Sequence, residues 1–288
     1  AQDLDPNCAM CFWGEAYARG PNINAPMDPQ AAGPTLAALE RATALRHHAS
    51  ESEQALIEAL ATRYSTDPKA ERAALDKAYA DAMDKVAARF PGDDDIAILA
   101  SEAAMDTQPW DYWESDGRTP KGRIGATIAR VERVLARKPD HPQAIHLYIH
   151  LLEASATPER AEAAADRLAR PLVPAAGHLV HMPGHLYYRV GRFKDAIRVN
   201  VAAAKADEAY LRTSMETGIY RFGYYPHNVH FIVASAQMGG DKATAIDQAR
   251  RLREVLGVDV ALAMPWVQVI WATPYFAHAQ FSSTAEIL

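Results

Sequence analysis

Cysteine is scarce: the chain has two among 288 residues, Cys8 and Cys11. Two thiols cannot build a disulfide framework, and they leave the redox compartment open. There is no lysine- or arginine-rich run, and the formal net charge is −6 at pH 7. Both facts argue against a nucleic-acid partner. No stretch approaches the roughly 18 uncharged apolar residues of a membrane span, so a soluble chain without a membrane partner is expected. The opening Ala1-Gln2-Asp3-Leu4-Asp5-Pro6 lacks the pattern of a secretory leader, and any leader is expected to have been removed. The motifs G-x-S-x-G, G-x-x-x-x-G-K, G-x-G-x-x-G and H-E-x-x-H are also missing. A serine hydrolase, a nucleotide-binding enzyme and a zinc protease of the common type are therefore disfavoured.

What remains is alanine-rich, modest in glycine and 49% apolar, a mix that favours helices and supports a sizeable core. Several segments share one grammar: a proline-punctuated turn, a helix, a glycine-containing turn and a second helix. Val190-Gly191-Arg192-Phe193-Lys194-Asp195-Ala196-Ile197 begins one second helix, and Met238-Gly239-Gly240-Asp241-Lys242-Ala243 begins another. Pro139 and Pro174 are 35 residues apart, close to the roughly 34-residue period of tetratricopeptide (TPR) repeats. Two stretches break the period: a Pro/Asn/Gly-rich loop at 19–34 and an aromatic, polar insertion at 108–125. Loops of this length are often functional in compact folds.

The histidines follow the repeat. His146 and His150 lie at +7 and +11 from Pro139, and His181 and His185 lie at +7 and +11 from Pro174. Aligning Gly240 with Gly191 maps His178 onto His227 and His181 onto His230. His146, His150 and Glu153 are spaced i, i+4, i+7 and share one helix face, as do His178, His181 and His185 at i, i+3, i+7. Ile145, Ile149 and Leu152 form an adjoining apolar stripe suited to the core. Pro183, between His181 and His185, is expected to kink their helix.

Over most of its length, and best between about 125 and 255, the chain resembles TPR proteins. It resembles in particular a bacterial TPR family with the landmarks Cys8-Ala9-Met10-Cys11-Phe12-Trp13-Gly14, Gly20-Pro21-Asn22-Ile23-Asn24, Pro109-Trp110-Asp111-Tyr112-Trp113 and His181-Met182-Pro183-Gly184-His185. The resemblance implies an all-α, right-handed α-solenoid of about four or five helix-turn-helix repeats in one domain spanning 1–288, with long loops over its concave groove. It also places the histidines on the concave side. Residues 1–6 read as the tail of a preceding helix and Ala285 to Leu288 as the start of another, so the natural protein is expected to extend at both ends. The compartment stays open between bacterial cytoplasm and periplasm.

Imidazoles stacked in one groove point to a transition metal: copper, iron or zinc, with Glu153 as carboxylate. His146, His150, His181 and His185 are the leading ligand candidates. His178, His227, His230 and Glu153 are expected to complete the shell, bridge a second ion or, for Glu153 and His178, act as general base. A metal-dependent oxidoreductase or hydrolase acting on a small molecule follows from this set.

Two other readings of the groove stand beside the metal. In one, imidazolium and Arg189 hold an anionic peptide, a small acid or a protein partner without metal. In the other, the histidines are buried and hydrogen-bonded to Tyr148, Tyr187 and Tyr188. Cys8 and Cys11 read as packing residues, a redox pair or a soft-metal site. His47, His48 and His141 are expected at the surface. Trp110, Tyr112 and Trp113 form either a lid or a plug. Tyr220, Phe222, Tyr224 and Tyr225 line a pocket or fill space between repeats, and Trp271, Tyr275 and His278 are expected to extend the groove.

Overall fold

The computed structural model describes residues 1–67, 69–170, 172–215 and 218–287. Its regular structure is helical. Among the described residues there is no strand, only isolated bridges between Asn22 and Ala25 and between Trp113 and Pro120. No helix is long and apolar enough to cross a membrane among the described residues. The chain divides into two compact units, Ala1–Lys138 and Pro139–Leu288.

The first unit holds α1 (Ala9–Ala18), α2 (Ala32–Ala44), α3 (Glu51–Ala61), α4 (Arg72–Arg89), α5 (Asp94–Asp106) and α6 (Ile124–Arg137). α3 starts where Ser50 and Glu53 form a reciprocal capping box, which satisfies two amide donors that a helix start leaves open. α6 buries Ile124, Thr127, Ile128, Val131 and Val134, an i, i+3, i+4, i+7 stripe that turns one face to the core. α4 packs on α5 and α5 on α6.

The irregular part of the 19–34 stretch is shorter than its composition suggests. Asp28 caps a turn of 3-10 helix at Pro29–Ala31, which runs directly into α2. Proline at the first helical position is preorganised for that role. The 108–125 stretch does remain irregular as far as Arg123 and is closed by Lys121 N–H donating to the Tyr112 carbonyl at 2.9 Å. Tyr112 is buried, and Trp110 is 47% exposed. The cysteines are joined by a disulfide, with Cys8 at the N-cap of α1, so packing as two small free thiols is not their state.

The second unit holds α7 (Pro142–Leu152), α8 (Glu162–Leu168), α9 (Gly177–His181), α10 (Pro183–Arg189), α11 (Phe193–Thr213), α12 (Tyr225–Gly239), α13 (Lys242–Val255), α14 (Val258–Ala263), α15 (Gln268–Phe281) and α16 (Thr284–Ile287). Leu288 lies outside the described residues. α11 and α13 begin just after the turns at Gly191 and Gly240, where the glycine-turn grammar puts helix starts. α11 packs on α9, α10 and α12, and α12 packs on α13 and α15. Ile145, Ile149 and Leu152 of α7 are completely buried, so the adjoining histidine face is held on a rigid core stripe.

Candidate metal centre

α7 carries His146 and His150, and Glu153 is its C-cap residue. His178 and His181 stand on α9 and His185 on α10. Proline cannot donate to the helical ladder, and Pro183 opens α10 as its first residue. The helix is interrupted there, yet the rings of His181 and His185 stay 4.6 Å apart. α12 supplies His227.

Three groups of side chains bring ligand atoms within 4.8 Å of one another: His146, His150 and His178; His181, His185 and His227; and His150, Glu153 and His185. Six of the seven histidines expected in the groove, with Glu153, are therefore gathered in one cluster. His230 is the exception. It is half-buried, its ring is 6.3 Å from that of His227, and it enters none of the three groups.

The hydrogen bonds fix which ring nitrogens face inward. His150 Nδ1–H donates to Glu153 Oε1 at 2.7 Å, and His185 Nδ1–H donates to Glu153 Oε2 at 2.9 Å. His181 Nδ1–H donates to Asn200 Oδ1 at 2.6 Å. The Asn200 amide nitrogen is engaged with the Ala196 carbonyl at 2.8 Å, which leaves its oxygen for the imidazole. His146 Nδ1 meets Gln143 Oε1 at 3.0 Å. With Nδ1 protonated, Nε2 carries the lone pair.

Two close contacts involve these nitrogens: His146 Nε2 to His178 Nε2 at 3.3 Å, and His185 Nε2 to His227 Nε2 at 3.5 Å. In a tetrahedral ion with metal–nitrogen bonds of about 2.0–2.1 Å, neighbouring ligand nitrogens are separated by about 3.3–3.4 Å. The buried His181 Nε2 has no hydrogen-bond partner, a state that costs about 1–3 kcal/mol unless something else meets its lone pair.

Burial also pushes His146, His150, His178, His181 and His227 toward the neutral form that metal binding requires. It pushes His146 well below the ordinary imidazole value, helped by the neighbouring His150, His178 and His185. Burial and nearby imidazoles do the same to His181 and His227, and burial takes His178 down to about 3. For Glu153 burial acts the other way. The His185 ring and the hydrogen bonds from His150 and His185 overcome it, and the carboxyl stays well below its ordinary range.

Some supporting residues carry no motif. Phe231 packs against the rings of His181, His185 and His227 at 4.5–4.9 Å, and Tyr224 packs on His178 at 4.9 Å. Gly184 lets Asn200 approach, since a Cβ there would lie 2.3 Å from Asn200 Nδ2. Gly177 does the same for Asp207, whose Oδ1 would be 1.8 Å from a Cβ. Asp207 in turn receives hydrogen bonds from Tyr220 and Asn228, both at 2.6 Å, and so ties α11 to α12. The sequence signal for Asn200 was a polar residue, like Asp207 two turns on, on the buried Ala196, Val199, Ala203 face of α11.

Other expected members lie elsewhere. Tyr187 donates to Asp166 at 2.7 Å instead of to a histidine, because it faces the Arg192 ion-pair cluster on α8 and α11. Tyr225 donates to Glu208 at 2.8 Å. His278 contacts Ser282, and Tyr275 is 51% exposed beside Arg253, so the expected extension of the groove through α15 does not form. His47 and His48 are exposed. His141 is half-buried and caps α7 by accepting from Ala144 N–H at 3.2 Å, a role that replaces the free surface position expected for it.

Searched against family models the chain matches none, and no curated protein matches it significantly.

Proposed function

We propose that the second unit is a transition-metal-binding scaffold of TPR-like helical repeats. In this reading the ion makes it a metal-dependent enzyme acting on a small molecule. One observation carries the proposal: six imidazoles, four of them buried and two half-buried, converge with ring nitrogens within ligand reach of one another. A cluster of lone pairs with few donors between them is stabilised by a cation and by little else. The repeat reading is supported by the matching offsets of the two histidine pairs and by successive packing of α11, α12 and α13. Neutral imidazole suits zinc, copper and iron. Such an ion would act as a Lewis acid or activate a bound water, or, if redox-active, exchange electrons.

The test is elemental analysis of the purified, untagged protein beside a His146→Ala/His181→Ala variant. The expected result is a stoichiometric transition metal in the parent that is lost in the variant. Absence of metal even after reconstitution with zinc, copper and iron overturns the proposal. Capture of an acidic peptide by the groove would then take its place.

A further inference from the structure

Resting on that reading, we infer that the cluster is a two-ion centre. His146, His150 and His178 hold one ion, and His181, His185 and His227 hold the other. Glu153 positions both triads without being a ligand.

The argument starts from the count. Six imidazoles exceed the three that an open tetrahedral site uses, and the two all-histidine groups share no member. Each triad contains one close Nε2 pair, 3.3 Å in the first and 3.5 Å in the second. Each triad thus holds one pair of ring nitrogens at the spacing of ligands on a common ion, with its third ligand atom within 4.8 Å. The triads are neighbours: the rings of His150 and His185 are 5.1 Å apart and those of His178 and His181 are 5.8 Å apart.

The third group, His150, Glu153 and His185, is of a different kind. Each carboxylate oxygen of Glu153 accepts one Nδ1–H, from a different triad. Moving either oxygen onto an ion would strand a buried imidazole donor, at a cost of about 1–3 kcal/mol. Left in place, the carboxylate fixes the tautomer of one ligand in each triad and aims its Nε2 inward, as carboxylates behind metal-bound histidines commonly do. Asn200 does the same for His181, and Gln143 for His146.

Two divalent ions held by six neutral imidazoles beside a single carboxylate leave an excess of positive charge. Three imidazoles per ion also leave each coordination sphere open. The ligand completing such a centre is a small anion or oxygen donor, such as hydroxide, that can reach both ions.

The experiment is a zinc titration of the chelator-treated full chain, with bound zinc counted per chain. Helix content by circular dichroism serves as the folding control. The parent takes up two zinc ions, while His146→Ala/His178→Ala and His181→Ala/His227→Ala each retain one. Glu153→Gln keeps two ions but binds them about 10–100-fold more weakly, and X-ray absorption still shows three imidazoles per zinc.

One ion in the parent overturns the two-ion centre while leaving the metal proposal intact. No ion overturns both. Two ions in the parent with none in either folded double variant overturns the division into triads. A changed first coordination sphere in Glu153→Gln makes the carboxylate a ligand and overturns its positioning role.

Discussion

The two units bury polar side chains in opposite ways. In the first, Arg63 is 1% exposed, with Asp106 at 2.6 Å and Asp76 at 3.8 Å. Its guanidinium also donates to the Pro21 carbonyl at 2.8 Å and lies over the Tyr79 ring at 4.7 Å. Some atoms there, such as the Tyr79 hydroxyl, have no hydrogen-bond partner, yet cation and anions are both supplied by the fold. In the second unit six imidazoles gather near one carboxylate, Glu153, which pairs with His150 and His185. A buried cluster that contains its own counter-charge is an internal brace. One with a single carboxylate among six imidazoles is a place that could hold a cation.

The comparison breaks most sharply at the brace. Arg63→Ala leaves Asp106 buried without its cation, while Asp76 keeps Arg72 at 2.8 Å, and is expected to cost about 3–5 kcal/mol, measured by denaturant unfolding. That loss should be the same with and without zinc.

The second unit should show the converse. Zinc at about 100 times its dissociation constant is expected to add about 2.7 kcal/mol, read as slowed hydrogen exchange in α7 and α10 but not in α4 and α5. A gain that spreads equally to α4 and α5 would erase the distinction.

The smallest effect concerns His230, which lies outside the three ligand groups. Burial lowers it from 6.5 to about 4. A depressed imidazole value means that the folded state resists the proton that the unfolded chain accepts. The contribution is thus intact above about pH 6.5 and is lost as the pH falls toward about 4, by about 1 kcal/mol per pH unit. His230→Ala should flatten that part of the acid-unfolding profile of the zinc-free protein while leaving zinc affinity unchanged.

Periodicity made the helices and the histidine faces legible. His146, His150 and Glu153 share a face because helical spacing demands it, and the turns before Phe193 and Lys242 followed from Gly191 and Gly240. The break at Pro183 followed from proline's missing donor. What periodicity could not reach was partnership across elements. Asn200 and Phe231 approach the cluster through tertiary packing, and Gly177 and Gly184 leave room for Asp207 and Asn200. His230 shares an alignment column with His181 but not its surroundings, since one turn of α12 suffices to carry its ring away from the other imidazoles. The Cys8–Cys11 bond was undecidable from spacing, which suits a disulfide, a dithiol and a metal clip alike.

The most direct measurement is anomalous diffraction from crystals grown with zinc, recorded above and below the zinc edge. The account predicts two peaks inside the second unit. One would lie about 2.0–2.1 Å from ring nitrogens of His146, His150 and His178, the other at the same distance from His181, His185 and His227. No peak among these residues, or zinc only at the exposed His47 and His48, would contradict it.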